Sequence, residues 1–324
     1  MPVITYREAL NQALREEMQR DSNVFLMGED IGLFEGAYKV TAGLFAEFGE
    51  KRVRDTPIAE EEIVGLGIGS AMVGLRPVIE IMTINFSLLA LDQIVNNAAK
   101  LRYMFAGGVQ MPLVIRMPEG GGNQLTAQHS QSLAVWFAHV PGLLVVAPSS
   151  PADAKGLLKT SIRDNNPVIF IEHFALYNTR GELPDGELLL PIGKADVKRV
   201  GEDVTIISHS RMVQVALAAA EQLAGQGISA EVVDLRTLRP LDKETVVNSV
   251  RKTSRAVVLE EGWPTYGISA EVTAFVQDMA FDYLDAPIRR IGGAEVPMPY
   301  ARNVERAAIP SDQTVIAAVK ELVA

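Results

Sequence analysis

Short aliphatic, β-branched runs alternate with stretches of helical spacing through the first half of the chain. VFLMG (Val24 to Gly28), PVIEIM (Pro77 to Met82), PLVIRM (Pro112 to Met117), LLVVAP (Leu143 to Pro148) and PVIFIE (Pro167 to Glu172) read as strands. They are too uniformly apolar for a sheet with one wet face, so the pattern predicts a parallel sheet covered by helices on both sides. The helical segments support this. Ser87 to Met104 carries Leu88, Leu91, Ile94, Val95, Ala98 and Leu101 on one stripe. Ser150 to Asn166 opens with Ser150 as an N-cap, Pro151 in the first helical position and Asp153 in the first turn. The N-terminal segment reads as an amphipathic helix with Ala9, Ala13 and Leu14 on one face.

A turn-rich stretch, Tyr177 to Lys194, carries Gly181, Pro184, Gly186, Pro191 and Gly193 without helical period. The strand–helix pattern then restarts with DVTIIS, AEVVDL and RAVVLEE as strands. Helices are predicted near Met212–Leu223, Lys243–Arg251, Ser269–Met279 and Gln313–Val323. Two α/β domains are expected, over residues 1–185 and 186–324.

Several function classes fall away. The formal net charge of −10 leaves no basic surplus for nucleic acid, and suits a basic protein partner instead. The absence of cysteine removes disulfides, thiolate metal sites and cysteine nucleophiles. No apolar run approaches the roughly 20 residues of a membrane span, and the first residues lack the basic-then-apolar order of a secretory signal. A soluble, cytoplasmic protein is expected. GLGIGSAMVG fails the dinucleotide fingerprint, because the sixth position is Ser70 counted from Gly65 and Met72 counted from Gly67. Its glycines are expected to let a helix pack closely. His129, His139, His173 and His209 show no i,i+4 pairing, so a histidine metal site is not expected.

Three places remain for chemistry. Glu60, Glu61 and Glu62 head the glycine-rich helix, where first-turn acids meet the positive end of the macrodipole at roughly 0.3–1 kcal/mol each. That accounts for Glu61 and Glu62. Glu60 follows the Pro57-Ile58-Ala59 turn directly, so its side chain can point along the sheet edge. The second place is Glu119 to Ser132, a glycine-triplet loop expected to be flexible, where His129 stands among Gln128, Ser130 and Gln131. The third is IMTINFS, which offers Phe86.

The order DTPIAE, NFS, AQHSQS and PVIFIEH, with GEDIGLFEGAYKVT, AKGLLKTSIRDNNPVIF and DLRTLRPLD, resembles a known family. It is that of β subunits of the thiamine-diphosphate-dependent decarboxylating component of 2-oxoacid dehydrogenase complexes, most like the pyruvate type. The resemblance spans essentially the whole chain. It implies a transketolase-like pyrimidine-binding domain followed by a transketolase C-terminal domain. Thiamine diphosphate would be shared with an α subunit in an α2β2 heterotetramer, and the α subunit would hold magnesium through a segment beginning Gly-Asp-Gly, a tripeptide this chain lacks.

Residue by residue, the resemblance implies that Glu60 hydrogen-bonds the aminopyrimidine N1′ and favours the imino tautomer that deprotonates the thiazolium carbon. Burial against cofactor is expected to raise its pKa against the helix dipole. Phe86 would stack on the pyrimidine. His129 would serve near the reacting carbon or in acyl transfer to lipoamide, and Glu29 would belong to an acidic channel between active sites. Leu113, Ser161, Ile162, Asp164 and Asn166 match a potassium site, with Ser161 where alanine is common. The remaining partners implied are the subunit-binding and lipoyl domains of the dihydrolipoamide acyltransferase. Branched-chain 2-oxoacids or acetoin are alternative substrates, and a noncatalytic scaffold subunit is the alternative of another class.

Overall fold

The computed structural model describes residues 2–324, and the chain forms two compact units. The first holds the residues up to Glu119 together with Trp136–Ile192; the second holds Gly120–Val135 with Gly193–Ala324. In chain order the elements as far as Glu182 are β1 (Val3–Thr5), α1 (Tyr6–Arg20), β2 (Val24–Gly28), α2 (Leu44–Phe48), β3 (Val53–Asp55), α3 (Glu60–Met72), β4 (Arg76–Glu80), α4 (Leu101–Met104), β5 (Val114–Glu119), α5 (Ala134–Ala138), β6 (Leu144–Val146), α6 (Pro151–Arg163), β7 (Val168–His173) and β8 (Arg180–Glu182).

In the first unit six strands lie in the order β6-β7-β5-β4-β2-β3, every pairing parallel. Alternate side chains go to opposite faces. Val78, Val114, Val168 and Phe170 share a buried cluster with Tyr6, Leu10 and Leu14 of α1 and Leu157 and Ile162 of α6. On the other face Gly67 of α3 lies so near Leu113 and Ile79 that a Cβ there would stand 3.1 and 3.3 Å from their side chains. Gly67 therefore provides the close packing expected of the glycine-rich helix, whereas Gly69 has no neighbour within 4 Å of such a Cβ.

The helix starts follow the caps. In α1 the Thr5 hydroxyl accepts the Glu8 N–H at 3.2 Å, and the Glu8 carboxylate accepts the Thr5 N–H at 2.7 Å. That cap limits the expected N-terminal helix; the residues before it, Val3–Thr5, pair antiparallel with β8. In α6 the Ser150 hydroxyl accepts the Asp153 N–H, and Pro151 leads the helix.

The continuous helix expected over Ser87 to Met104 does not form. A 3₁₀ turn covers Ile84–Ala90, a π-helical turn covers Gln93–Ala98, and only the last four residues are α4. Polar side chains explain the break. The Ser87 hydroxyl donates to the Ile84 carbonyl, and the Asn97 side chain donates to the Asp92 carbonyl at 3.5 Å. Such local bonds compete with a regular ladder, and the apolar stripe alone did not reveal them.

One ion cluster sits inside the first unit. Arg116 of β5 is buried, donating to Glu80 of β4 at 2.8 Å and to Glu172 of β7 at 2.7 Å, while the Tyr177 hydroxyl donates to Glu172 at 2.8 Å. Burial alone would disfavour the guanidinium charge, but the Glu172 and Glu80 carboxylates more than offset it, so Arg116 stays charged above its ordinary range. Burial also pushes the Glu172 carboxyl up, against the pull of Arg116.

The second unit contains β9 (Asp196–Arg199), β10 (Val204–Ser208), α7 (Arg211–Ala224), β11 (Ala230–Asp234), β12 (Thr237–Arg239), α8 (Lys243–Thr253), β13 (Ala256–Leu259), α9 (Ile268–Ala280), β14 (Arg289–Ile291), α10 (Arg302–Ala308) and α11 (Asp312–Val323). Its five-stranded sheet runs β14-β13-β10-β11-β9, parallel except for β9 at the edge. Val204, Ile206, Val232 and Val257 pack under α7 and α11. On α8, Ser249 and Thr253 bond to the Thr205 hydroxyl at 2.9 and 2.7 Å.

Arg116→Met would leave two glutamates buried without their cation, a change that costs about 3–5 kcal/mol. The urea midpoint is expected to fall accordingly; an unchanged midpoint would show that the cluster contributes nothing to stability.

Candidate active site

All strands of the first sheet end on one edge, because all pairings are parallel. Gly28 lies in register with Asp55 on one side and Glu80 on the other. The candidate residues follow directly on these strand ends: Glu29 after β2, Glu60 five residues after β3, and Phe86 six residues after β4. Open α/β sheets take their ligands at this edge.

Glu60 is the first residue of α3, and no side chain caps the helix at Ala59. Glu60 is 6% exposed, whereas Glu61 and Glu62 are exposed. The three acids therefore divide as the sequence suggests, two on the solvent side of a helix start and one turned inward. Burial raises the pKa of Glu29, and the charges of Asp30 and Glu60 raise it further. Glu29 and Glu60 are thus close enough to act on each other. The loop after Glu29 is held by Asp55, whose carboxylate accepts the Gly32 N–H at 2.6 Å and the Leu33 N–H at 3.3 Å.

Phe86 is half-buried on the 3₁₀ turn that packs against α3. A depression of about 700 Å³ lies beside the head of α3, lined by Ile58, Glu60, Glu61, Leu66, Leu89 and Gln93. Ile58, Leu66 and Leu89 are large apolar side chains left exposed there. Deeper along the edge, burial and then the Glu80 charge push the Tyr38 hydroxyl up to about 12.

His129 belongs to the second unit, on the exposed part of the loop that leaves β5. The glycine triplet is not the flexible link expected. Gly120 and Gly122 have φ of +93° and +100°, and Gln124 and Thr126 are also left-handed at +56° and +65°. Carboxylates hold this backbone. Glu261 accepts the Gly121 N–H at 2.6 Å, and Glu305 accepts the Gly122 and Gln124 N–H groups, each at 2.9 Å. A Cβ on Gly121 would lie 3.0 Å from both Ile309 and Met298. A cavity of about 580 Å³ adjoins the loop, lined by Gln128, Ser130, Gln131, Trp263, Val296 and Met298 among others.

The residues matched to potassium gather around the end of α6. Arg76 donates to the Ile162 carbonyl at 2.8 Å, to the Asp164 carbonyl at 2.5 Å and to the Asn165 side chain at 2.9 Å. The Asp164 carboxylate accepts two bonds from Asn166 at 2.8 Å, and Arg102 donates to the Asn166 side chain. The Ser161 hydroxyl donates to the Leu157 carbonyl at 2.7 Å, and the Leu113 carbonyl accepts the Val168 N–H at 2.8 Å. The cation attraction of a helix C-terminus is thus already answered in part by a guanidinium. Among the described residues no cluster of three or more His, Cys, Asp or Glu could hold a metal.

Sequence reasoning missed Arg76, Arg116, Glu261 and Glu305. Isolated charges in otherwise ordinary segments carry no local signal, and their partners lie far off in sequence. An arginine or glutamate inside an apolar strand run, as in PLVIRM or PVIFIE, is the one mark that could have pointed to the Arg116 cluster.

If the Glu60 charge contributes to the raised Glu29 pKa, Glu60→Gln should lower the Glu29 midpoint. A carbon-13 carboxyl titration, assigned with Glu29→Gln, reads this; an unmoved midpoint would show that the two groups are not coupled.

The family model described as transketolase, pyrimidine binding domain, matches residues 3–179, and the one described as transketolase, C-terminal domain, matches residues 193–315. The chain is 53% identical over 323 residues to the mitochondrial "Pyruvate dehydrogenase E1 component subunit beta" of Dictyostelium discoideum, covering 98% of this chain and 91% of that one. It is 51% identical over 319 residues to the protein of that name from Rickettsia bellii, covering 98% of each. A solved structure, "Split gene transketolase, inactive beta4 tetramer", superposes with a TM-score of 0.79 at 24% identity, covering 99% of this chain and 98% of that one, a likeness of fold. The relatives include mitochondrial and bacterial proteins, and no helix among the described residues is long and apolar enough to cross a membrane.

Proposed function

The chain belongs to the family of pyruvate dehydrogenase E1 component β subunits, built of the transketolase pyrimidine-binding and C-terminal domains, and from that premise we propose that Glu60 is its proton-exchanging acid. The family's reaction is the oxidative decarboxylation of pyruvate with reductive acetylation of lipoamide. Thiamine diphosphate, when bound, supplies the electron sink that lets pyruvate lose carbon dioxide. The donor set fits it: a buried carboxyl, a half-buried aromatic ring and an apolar-rimmed depression at one sheet edge.

Glu60 holds and exchanges a proton at the pyrimidine ring nitrogen. Its burial keeps water from competing for that proton, and the fixed start of α3 keeps the carboxyl in place. Phe86 orients the ring from the neighbouring turn. Glu29, whose raised pKa lets it stay protonated to higher pH than an ordinary glutamate, passes protons to and from Glu60. His129 serves the acyl transfer to lipoamide. An α subunit covers the depression, meets the exposed Ile58, Leu66 and Leu89, and holds magnesium; the assembly is α2β2. The second unit takes the acyltransferase's subunit-binding domain, and its lipoyl domain delivers the lipoamide.

The single observation behind this reading is the inward turn of Glu60 beside Glu29, while Glu61 and Glu62 face outward. General acid–base groups contribute about 10²–10⁴-fold. Glu60→Gln, co-purified with the α subunit, is expected to lose carbon dioxide release from pyruvate by that factor and to keep its assembly. Full activity in that variant would remove Glu60 from the mechanism and favour a scaffold. Failure of the unaltered assembly to turn over pyruvate, with turnover of 2-oxoisovalerate, would reassign the substrate.

Potassium at the end of α6 is part of the same proposal. Each backbone carbonyl has two lone pairs, so Ile162 and Asp164 keep one beside the bond from Arg76. The melting temperature is expected to be higher in potassium chloride than in tetramethylammonium chloride at equal ionic strength. Equal melting temperatures would discard the ion.

A further inference from the structure

We infer that Glu305 is a positioning residue for the acyl-transfer step, acting through the backbone of the loop that bears His129. Glu305 stands on α10 and is 1% exposed. A carboxylate buried to that degree needs partners. Those the structure gives it are the N–H groups of Gly122 and Gln124, both received by one oxygen, Oε1; its other oxygen, Oε2, is buried and has no hydrogen-bond partner among the described residues.

The geometry being held is a costly one. Gln124 and Thr126 occupy left-handed backbone conformations without being glycine, and such residues persist only where the surroundings over-determine them. Glu305 fixes the segment five residues before His129. The loop is held at two further points: Glu261 accepts the Gly121 N–H, and Arg211 donates to the Gly121 carbonyl at 3.2 Å and to Glu261 at 3.4 Å. At its base the Gly120 N–H donates to the Gln131 carbonyl at 3.1 Å. The Gln124 side chain is tied to the same helix region, donating to the Tyr300 carbonyl and accepting from Arg302 at 3.2 Å. Between these fixed points lies the stretch carrying His129. Glu305 touches no substrate; its contribution is where His129 stands.

The inference rests on the assignment of His129 to acyl transfer, and the test separates the two. Reductive acetylation of a lipoyl domain by the assembled α2β2 enzyme is measured for Glu305→Ala, Glu305→Gln, His129→Ala and the Glu305→Ala/His129→Ala double variant. Displacing a reacting group by about 1 Å can cost on the order of 10²-fold. Glu305→Ala is expected to lower kcat roughly 10- to 100-fold with little change in KM for the lipoyl domain. Glu305→Gln, which keeps an oxygen acceptor, is expected to recover most of that loss. The double variant is expected to be no slower than His129→Ala alone, because the two changes act on one group. Additive losses, or a Glu305→Ala enzyme as fast as wild type beside a slow His129→Ala enzyme, would overturn the inference while leaving His129 in its role. A His129→Ala enzyme as fast as wild type would overturn both. If Glu305→Ala does not assemble, Glu305→Asp, which draws the acceptor back by one methylene, is read in its place against the same expectations.

Discussion

The parallel register of the first sheet is the constraint on which the site depends. With both faces buried under α1, α6 and α3, no polar side chain can be placed along the strands without a partner, so the chemistry goes to the ends. Because Gly28, Asp55 and Glu80 share one level, the segments that follow them leave the sheet at one edge without any being near another in sequence. A one-residue slip of β3 against β2 would exchange the faces of its side chains and shift the start of α3, which sets the direction of Glu60. The close approach of Gly67 to Ile79 and Leu113 seats that helix on the sheet, since a larger residue there would lift α3 away.

The protein keeps its buried carboxylates in three different ways. Glu80 and Glu172 share the Arg116 guanidinium, and the triad is held inside the sheet where it can bind nothing else. Glu305 instead accepts backbone N–H groups, which fix a loop rather than neutralise a charge with a charge, and the partly buried Glu261 combines such a bond with the Arg211 guanidinium. Glu60 and Glu29 have neither: among the described residues no ion pair involves them, and burial, then the charges of Asp30 and Glu60, raise the Glu29 carboxyl. Glu29 therefore holds its proton to higher pH than an isolated glutamate. Structural acids are matched to donors; the two acids at the sheet edge, for which proton exchange is proposed, are not.

Much of this was legible in the sequence because it is carried by periodicity and punctuation. The strand runs, the capped start of α6 and the difference between Glu60 and its two neighbours all follow from patterns a few residues long. The helix expected over Ser87 to Met104 failed for a reason equally local but weaker than its apolar stripe: Ser87 and Asn97 bond to nearby backbone carbonyls and break the ladder. What stayed illegible is long-range. Glu305 reaches a loop some 180 positions earlier, and Arg76 reaches the end of α6 from 86 to 89 positions away. Nothing in the residues beside them marks such pairings. The grouping of Gly120–Val135 with the second unit is hidden for the same reason.

Glycine shows most clearly why residue type alone underdetermines role. Gly67 is small because a helix must approach a sheet, Gly122 because its φ is +100°, and Gly69 for neither reason, lying exposed with open space around it. The triplet after β5 reads in sequence as looseness, yet each of its members is tied: one by a bond to Gln131, one by Glu261 and Arg211, one by Glu305. A loop built this way gives up the mobility that its composition permits. For the role proposed for His129, toward a group delivered on another protein's arm, that exchange has a physical logic, since the visiting group brings its own freedom and the receiving side gains from being preorganised.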